Sequence, residues 1–384
     1  MKQLVCSLVG SLIVGGVSNA QEIPDPLEVL GKERTAEAWM GKGRPATMKI
    51  LSEQVYGVTP KTEIATEWKL DRESEAFGGK AIRREYLLTF AGKLTARVLV
   101  YAPKGKTKVP AFMGLNFDGN HTLESDPWLT ESGKGKRGQH AGRWQVPMII
   151  EKGMALVTIH CADFDPDEYD EFKNGVHALF PGERDGTSWG SLNGWAWGMS
   201  RVLDQLSKVP EIDETRVAVI GFSRMGKTAI WAGAQDERFA MVVSNNSGCG
   251  GAALSKRCHG ETVGRITKVF PHWFCGNYAK YSDKEDEMPF DQHQLLACIA
   301  PRPLYVASAS KDDWADPEGE FLSLVHAAPV YALFEEKPFD GGAWPKPGAS
   351  VGGKLLRYHI REGKHDITAW DWERYLAAAG DWLK

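Results

Sequence analysis

Short apolar runs recur along the chain from residue 81 onward, separated by segments whose apolar positions fall at helical spacing. The runs at 82–90 and 94–101 flank Ala91-Gly92-Lys93 and read as a hairpin. Runs at 109–115, 154–160, 216–220, 241–244, 304–309 and 355–360 follow as further strands. Between them, 192–206 places Trp195, Met199, Val202, Leu203 and Leu206 on one helical stripe. Residues 224–234, 292–299 and the stretch from about 368 to the C-terminus are the other helices this spacing predicts. Strands alternating with helices argue for a mostly parallel sheet covered on both faces.

Three stretches break the rhythm. Residues 118–146, 163–189 and 335–353 are rich in Gly, Pro and charge, and are long for simple connections. They are expected to form rims around a cleft at the strand ends. An antiparallel start followed by strand–helix alternation is the order of an α/β-hydrolase fold. The expectation is therefore an eight-to-ten-stranded, mostly parallel sheet in a single catalytic domain over 21–384.

Composition narrows the setting. The chain has 384 residues, 42% hydrophobic and 25% charged, an ordinary globular balance. A net charge of -4 gives no footing for nucleic acid or an anionic membrane. Lys2, the apolar stretch 4–17 and the small-x-small site Ser18-Asn19-Ala20 read as a signal peptide over 1–20, removed before about Gln21. The apolar run is short and broken by Gly10, Gly15 and Gly16, so it does not read as a membrane anchor. Export permits disulfides, but five cysteines remain after cleavage, an odd number. None stands in a Cys-x-x-Cys or His/Cys cluster of metal-ligand spacing.

The chemistry centres on Gly221-Phe222-Ser223-Arg224-Met225-Gly226-Lys227, which follows an apolar strand and opens a helix. This is the context of a nucleophile elbow, where a tight turn lifts a serine hydroxyl above a helix N-terminus. Met225 stands where the common Gly-x-Ser-x-Gly pattern has its second glycine, and the glycine comes one residue later. A serine that merely caps a helix would share part of this pattern. Ser223, Arg224 and Lys227 lie close enough in helical spacing to face one mouth. Two cations there oppose the helix dipole, so their presence calls for a reason other than stability.

In this fold the order is Ser, acid, His. Among ten histidines, His365 alone lies in a polar loop after the last strand and before the terminal helix. His359 and His326 read as packing residues, whereas His272 and His293 flank the cleft side of the chain. The turn after the sixth strand, 244–248, holds no carboxylate; that after the seventh holds Asp312, Asp313 and Asp316. Asp312 is the choice for the acid; Asp313 and Asp316 stay open, with helix capping before Pro317 the plainer reading of Asp316.

These residues resemble the bacterial glucuronoyl esterases of carbohydrate esterase family 15. The likeness runs from about residue 94 to the C-terminus and rests on motifs at 114–122, 193–198, 221–227, 246–251, 260–262, 270–274 and 312–317. It implies hydrolysis of the ester between a xylan glucuronate, often 4-O-methylated, and a lignin alcohol. It implies further that Ser223 is the nucleophile, His365 its base, and Arg224 a side chain that helps hold the oxyanion. Lys227, Glu261 and Trp314 match positions that contact the sugar. Two departures from the fungal pattern stand out. Asn246 occupies the place of the fungal catalytic glutamate, and Phe222 and Asp366 occupy the positions of a fungal disulfide. The implied partner is a glucuronoxylan or lignin–carbohydrate ester, met by a monomer with no cofactor, metal, nucleic acid or membrane. Another polysaccharide-directed esterase, such as an acetyl ester hydrolase, and an inactive carbohydrate-binding homologue are the competing readings.

Fourteen tryptophans fit a sugar-binding cleft. Trp189, Trp197, Trp273, Trp314 and Trp344 fall in its expected segments, with packing the expected role for all but Trp314.

Overall fold

The structure is a computed structural model that describes residues 23–334, 339 and 341–384; the expected signal peptide at 1–20 lies outside them. Ten strands form one sheet: β1 (Thr66–Ala76), β2 (Ala81–Phe90), β3 (Leu94–Pro103), β4 (Val109–Asn116), β5 (Ala155–His160), β6 (Ile212–Phe222), β7 (Met241–Asn245), β8 (Leu304–Ala309), β9 (Ser350–Gly352) and β10 (Leu356–Arg361). Their order is β1-β2-β3-β5-β4-β6-β7-β8-β10-β9. The first three form an antiparallel meander, β3 meets β5 antiparallel, and the run from β5 through β10 is parallel. This is the α/β-hydrolase fold that the strand–helix alternation predicts.

The sheet is covered on both sides, which is why its inner strands read as unbroken apolar runs. In β6, Val217 and Val219 pack into one core with Leu192, Trp195 and Met199 of the helix Ser191–Leu203 and with Ile230 and Trp231 of the helix Arg224–Gln235. Ala218, Ile220 and Phe222 alternate to the other face, against Ile149 and against Trp372 and Tyr375 of the helix Ala369–Trp382. The segment before β1 braces the first of these layers: Tyr56 stacks on Trp231 at 4.3 Å between ring centroids.

Two strands and several helices have no counterpart among the predicted elements, Pro317–Tyr331 being the longest of those helices. β1 is an edge strand exposed on most of its length, so nothing selects alternating apolar residues in Thr66–Ala76. β9 is three residues long and lies within 335–353, the third irregular stretch; none of the described residues there lines the cleft. The described part of that stretch supplies an edge strand rather than a rim. The helix Pro317–Tyr331 begins at Asp316, whose side chain accepts from the Gly319 N–H.

Candidate active site

Four neighbouring parallel strands, β6, β7, β8 and β10, end on the same edge of the sheet. The residues just past them are Ser223, Asn246, Asp312 and His365. Ligands of open α/β sheets bind outside these carboxyl ends, so the topology alone gathers the four.

Ser223 sits at φ 59° and ψ -132°, a conformation that costs a non-glycine residue on the order of 1–3 kcal/mol. The turn leaves no room for side chains around it. A Cβ on Gly221 would lie 1.9 Å from the carbonyl oxygen of Met225, and one on Gly226 would press on Ser247 at 3.0 Å. The second small residue thus stands at 226, where a side chain would crowd Ser247, and the buried Met225 side chain packs into the core. The N–H groups of Gly226 and Lys227 donate to the Ser223 carbonyl at 2.8 and 3.2 Å. The N–H of Arg224, at the first position of the helix, has no carbonyl one turn back to meet.

His365 Nδ1 and Asp312 Oδ2 are 2.6 Å apart. A carboxylate acceptor assigns the Nδ1 proton to this bond and leaves Nε2 as the basic nitrogen. Asp312 is buried, and the same Oδ2 accepts from Asn246 Nδ2 at 2.6 Å. The two other aspartates of this turn go elsewhere. Asp313 is 89% exposed and pairs with His259, while Asp316 caps the next helix and pairs with Arg257 at 2.8 Å.

The His365 loop is tied from three sides. Arg361 donates to the carbonyls of Lys364 and Asp366 at 2.8 Å each. The Phe222 ring lies 4.6 Å from the imidazole. Arg143 pairs with Asp366 at 2.8 Å while its guanidinium covers Phe222 at 5.3 Å. An aromatic and ionic contact therefore joins the nucleophile and histidine loops at positions 222 and 366.

Ser223, Arg224, Lys227, Glu261, Asp312, Trp314 and His365 all line one cleft of about 350 Å³, within the range of small-molecule sites. Lys227 is buried, and its three ammonium donors are fully used: Ser247 O, Cys249 O and Glu261 Oε2 each lie at 2.6 Å. It is a strut of the cleft floor. Glu261 in turn accepts from Trp314 Nε1 at 3.2 Å, so an ordered chain runs from Lys227 to the exposed indole. Trp314 is 47% exposed, with Arg265 over it at 5.4 Å. Trp273 is buried, stacks on Phe270 and also lines the cleft, whereas Trp189 and Trp197 pack against Phe180. Trp344 is exposed and lines no part of the cleft.

The remaining histidines sort by their neighbours. His359 is buried between Asp371 at 2.9 Å and Tyr305 at 3.1 Å. His293 meets the Pro24 carbonyl, away from the cleft, and burial pushes it down to about 3. His272 does reach the site's edge, through Asp167.

Sequence reasoning missed Glu320. It is fully buried beneath the β7 turn, where Oε1 accepts from the N–H groups of Ser247 at 2.6 Å and Gly248 at 3.1 Å. Burial raises its carboxyl to about 8 against these bonds, and the nearby Asp312 charge adds to the rise. Nothing in the sequence marks it: its partners are backbone amides 72 and 73 positions away and the Ser308 hydroxyl at the end of β8, at 2.6 Å from Oε2. Cys161, Cys249, Cys275 and Cys298 are buried thiols. Among the described residues no group of His, Cys, Asp or Glu has the arrangement of a metal site, and no helix is long and apolar enough to cross a membrane.

Comparison with known proteins gives the relatives of the chain. A family model described as "Glucuronyl esterase, fungi" matches residues 139–334. A carbohydrate esterase, MZ0003, from an unknown prokaryotic organism is 43% identical over 93% of this chain and 88% of its own length. A glucuronoyl esterase from Solibacter usitatus superposes with a TM-score of 0.90 at 40% identity, covering 95% of this chain and 99% of that one. A promiscuous CE15 esterase from a marine bacterial metagenome superposes at 0.88 with 41% identity, over 94% and 97% of the two chains.

Proposed function

The chain belongs to the glucuronoyl esterases of carbohydrate esterase family 15, a family of carboxylic ester hydrolases, and from that premise we propose that it is an exported monomeric enzyme cleaving (4-O-methyl-)glucuronate esters of the lignin–glucuronoxylan kind through a Ser223–His365–Asp312 acyl-enzyme mechanism.

The observation that carries the reading is the 2.6 Å bond between His365 Nδ1 and the buried Asp312, at the mouth of a cleft that also holds Ser223. Asp312 fixes the tautomer that leaves Nε2 free to take the Ser223 proton, and it stabilises the imidazolium that results. The alkoxide attacks the uronate carbonyl. The Arg224 N–H, unspent in the helix, and the Arg224 guanidinium hold the charge that develops on the carbonyl oxygen. His365 then protonates the departing alcohol, and water hydrolyses the acyl-enzyme by the same steps in reverse.

Glu261 explains how a sugar is held. Its two carboxylate oxygens accept one bond each, from Lys227 and Trp314, and a carboxylate has about four acceptor sites. The unused ones suit ring hydroxyls, and the exposed face of Trp314 suits the ring itself. Export rests on the leader read at 1–20.

A broader esterase reading draws on the promiscuous relative and separates from the first by substrate. The test is hydrolysis of benzyl glucuronate beside acetylated xylan, with Ser223→Ala as control. Cleavage of the glucuronate ester that Ser223→Ala abolishes supports the proposal. Preference for acetyl esters supports the broader reading. If Ser223 neither supports turnover nor is labelled by a fluorophosphonate, the chain is an inactive homologue and the proposal is wrong.

A further inference from the structure

Arg224 has a neighbour that the acyl-transfer steps do not use. Asp167, in the irregular stretch after β5, places Oδ2 2.5 Å from Arg224 Nε. Its Oδ1 accepts from Trp273 Nε1 at 2.8 Å and from His272 Nε2 at 3.1 Å, and both of these donors belong to buried residues. The guanidinium carbon of Arg224 lies 4.7 Å from the Phe117 ring and 5.6 Å from that of Trp273. The group is thus flanked by two rings, with a carboxylate at its Nε. The contact is an ion pair rather than an aligned hydrogen bond, since the buried Nε–H does not point along it.

Asp167 is a carboxylate in earnest. Burial works to raise it, but the His272 bond, the Arg224 charge and the Trp273 N–H outweigh burial and hold it below the usual carboxylate range. Such a charge is an odd companion for a group meant to meet an oxyanion, because it offsets part of the attraction. An arginine side chain, however, is long and carries a large rotamer entropy. A donor contributes fully to an oxyanion only if it is in place before the charge develops.

Resting on the reading that Arg224 helps hold the oxyanion, we propose that Asp167 is the positioning residue for Arg224: anchored by His272 and Trp273, it grips the Nε edge so that the terminal nitrogens stay presented to the cleft. The two effects of Asp167 have opposite signs. If positioning dominates, its removal slows the reaction. If its charge merely offsets that of Arg224, removal speeds it.

The experiment is a double-mutant cycle with benzyl glucuronate, measuring kcat and KM for Asp167→Asn, Arg224→Ala and the pair. We expect Asp167→Asn to lower kcat about 10–100-fold, less than outright loss of an oxyanion donor, with KM within about threefold. The double variant should be no slower than Arg224→Ala, since no guanidinium remains to be positioned. An unchanged or faster Asp167→Asn enzyme overturns the proposal, as do losses that multiply in the double variant. Should the Asn variant not fold, Asp167→Glu replaces it in the cycle, and a Glu effect that persists without Arg224 overturns the proposal equally. Wild-type kcat in Arg224→Ala would instead overturn the role of Arg224 itself, a separate outcome from failure at Asp167.

Discussion

Replacing Asp312 by Asn tests the proposed acid with little disturbance of shape. The amide oxygen can occupy the Oδ2 position and keep accepting from His365 Nδ1 and Asn246 Nδ2, both now at 2.6 Å. What disappears is the charge facing the imidazolium that forms as Ser223 loses its proton. Two unit charges about 4 Å apart interact by about 4 kcal/mol at an effective dielectric constant of 20. At about 1.36 kcal/mol per decade, that corresponds to roughly a thousandfold in kcat. If the amide instead turns its NH₂ toward His365, the wrong tautomer results and the loss approaches about 10⁴. Stability should change little, because the carboxylate is replaced by a group of equal volume with the same acceptor. The assay is steady-state hydrolysis of benzyl glucuronate, with thermal melts alongside. A variant within tenfold of wild type would refute the reasoning and send the acid elsewhere, despite the exposure of Asp313 and the helix-capping bonds of Asp316.

Lys227→Met should destabilise the fold by about 3–5 kcal/mol in denaturant unfolding, since it leaves Glu261 as a buried, unpaired charge; loss of activity with unchanged stability would contradict its reading as a strut. Trp314→Ala should raise KM for glucuronate esters about tenfold or more with a smaller effect on kcat, and equal KM values would remove the indole from sugar binding. Glu320 has a folded-state pKa of about 8, above its ordinary value, so the folded protein holds an extra proton between roughly pH 4.5 and 8. Its contribution to stability is therefore full at acidic pH and lost as pH rises through about 8. Glu320→Gln, which mimics the protonated form, should flatten that part of the melting-temperature profile; an identical slope in wild type and variant would count against it.

The inner strands are legible in the sequence because burial on both faces forces continuous apolar runs, as in the wholly buried β5, β7 and β8. β1 escapes because an edge strand with one face exposed and the other only half-buried leaves no such mark. At the site, Ser223 and His365 stand out by their place beside a strand and a helix. The acid does not, since three aspartates fall within five residues and only the path of the turn separates them. Lys227 falls on the cleft side by helical spacing, yet its three acceptors come from a different turn, so its saturation is invisible until the chain is folded. Glu320 and Asp167 share that fate. Each acts on groups that are near in space and far apart along the chain, and neither carries a local motif.

The contact of Phe222 with His365, and of Arg143 with Asp366, has a further consequence for where the enzyme can mature. A tie made of a ring face and an ion pair has no sulfur–sulfur bond at positions 222 and 366 for a reductant to cut. It needs no oxidant or isomerase to form. The two loops can therefore register in a reducing cytosol as well as in an oxidising space outside it, so dithiothreitol should not part them. Concentrated salt, which weakens the ion pair but not the ring packing, is the reagent to which they should respond.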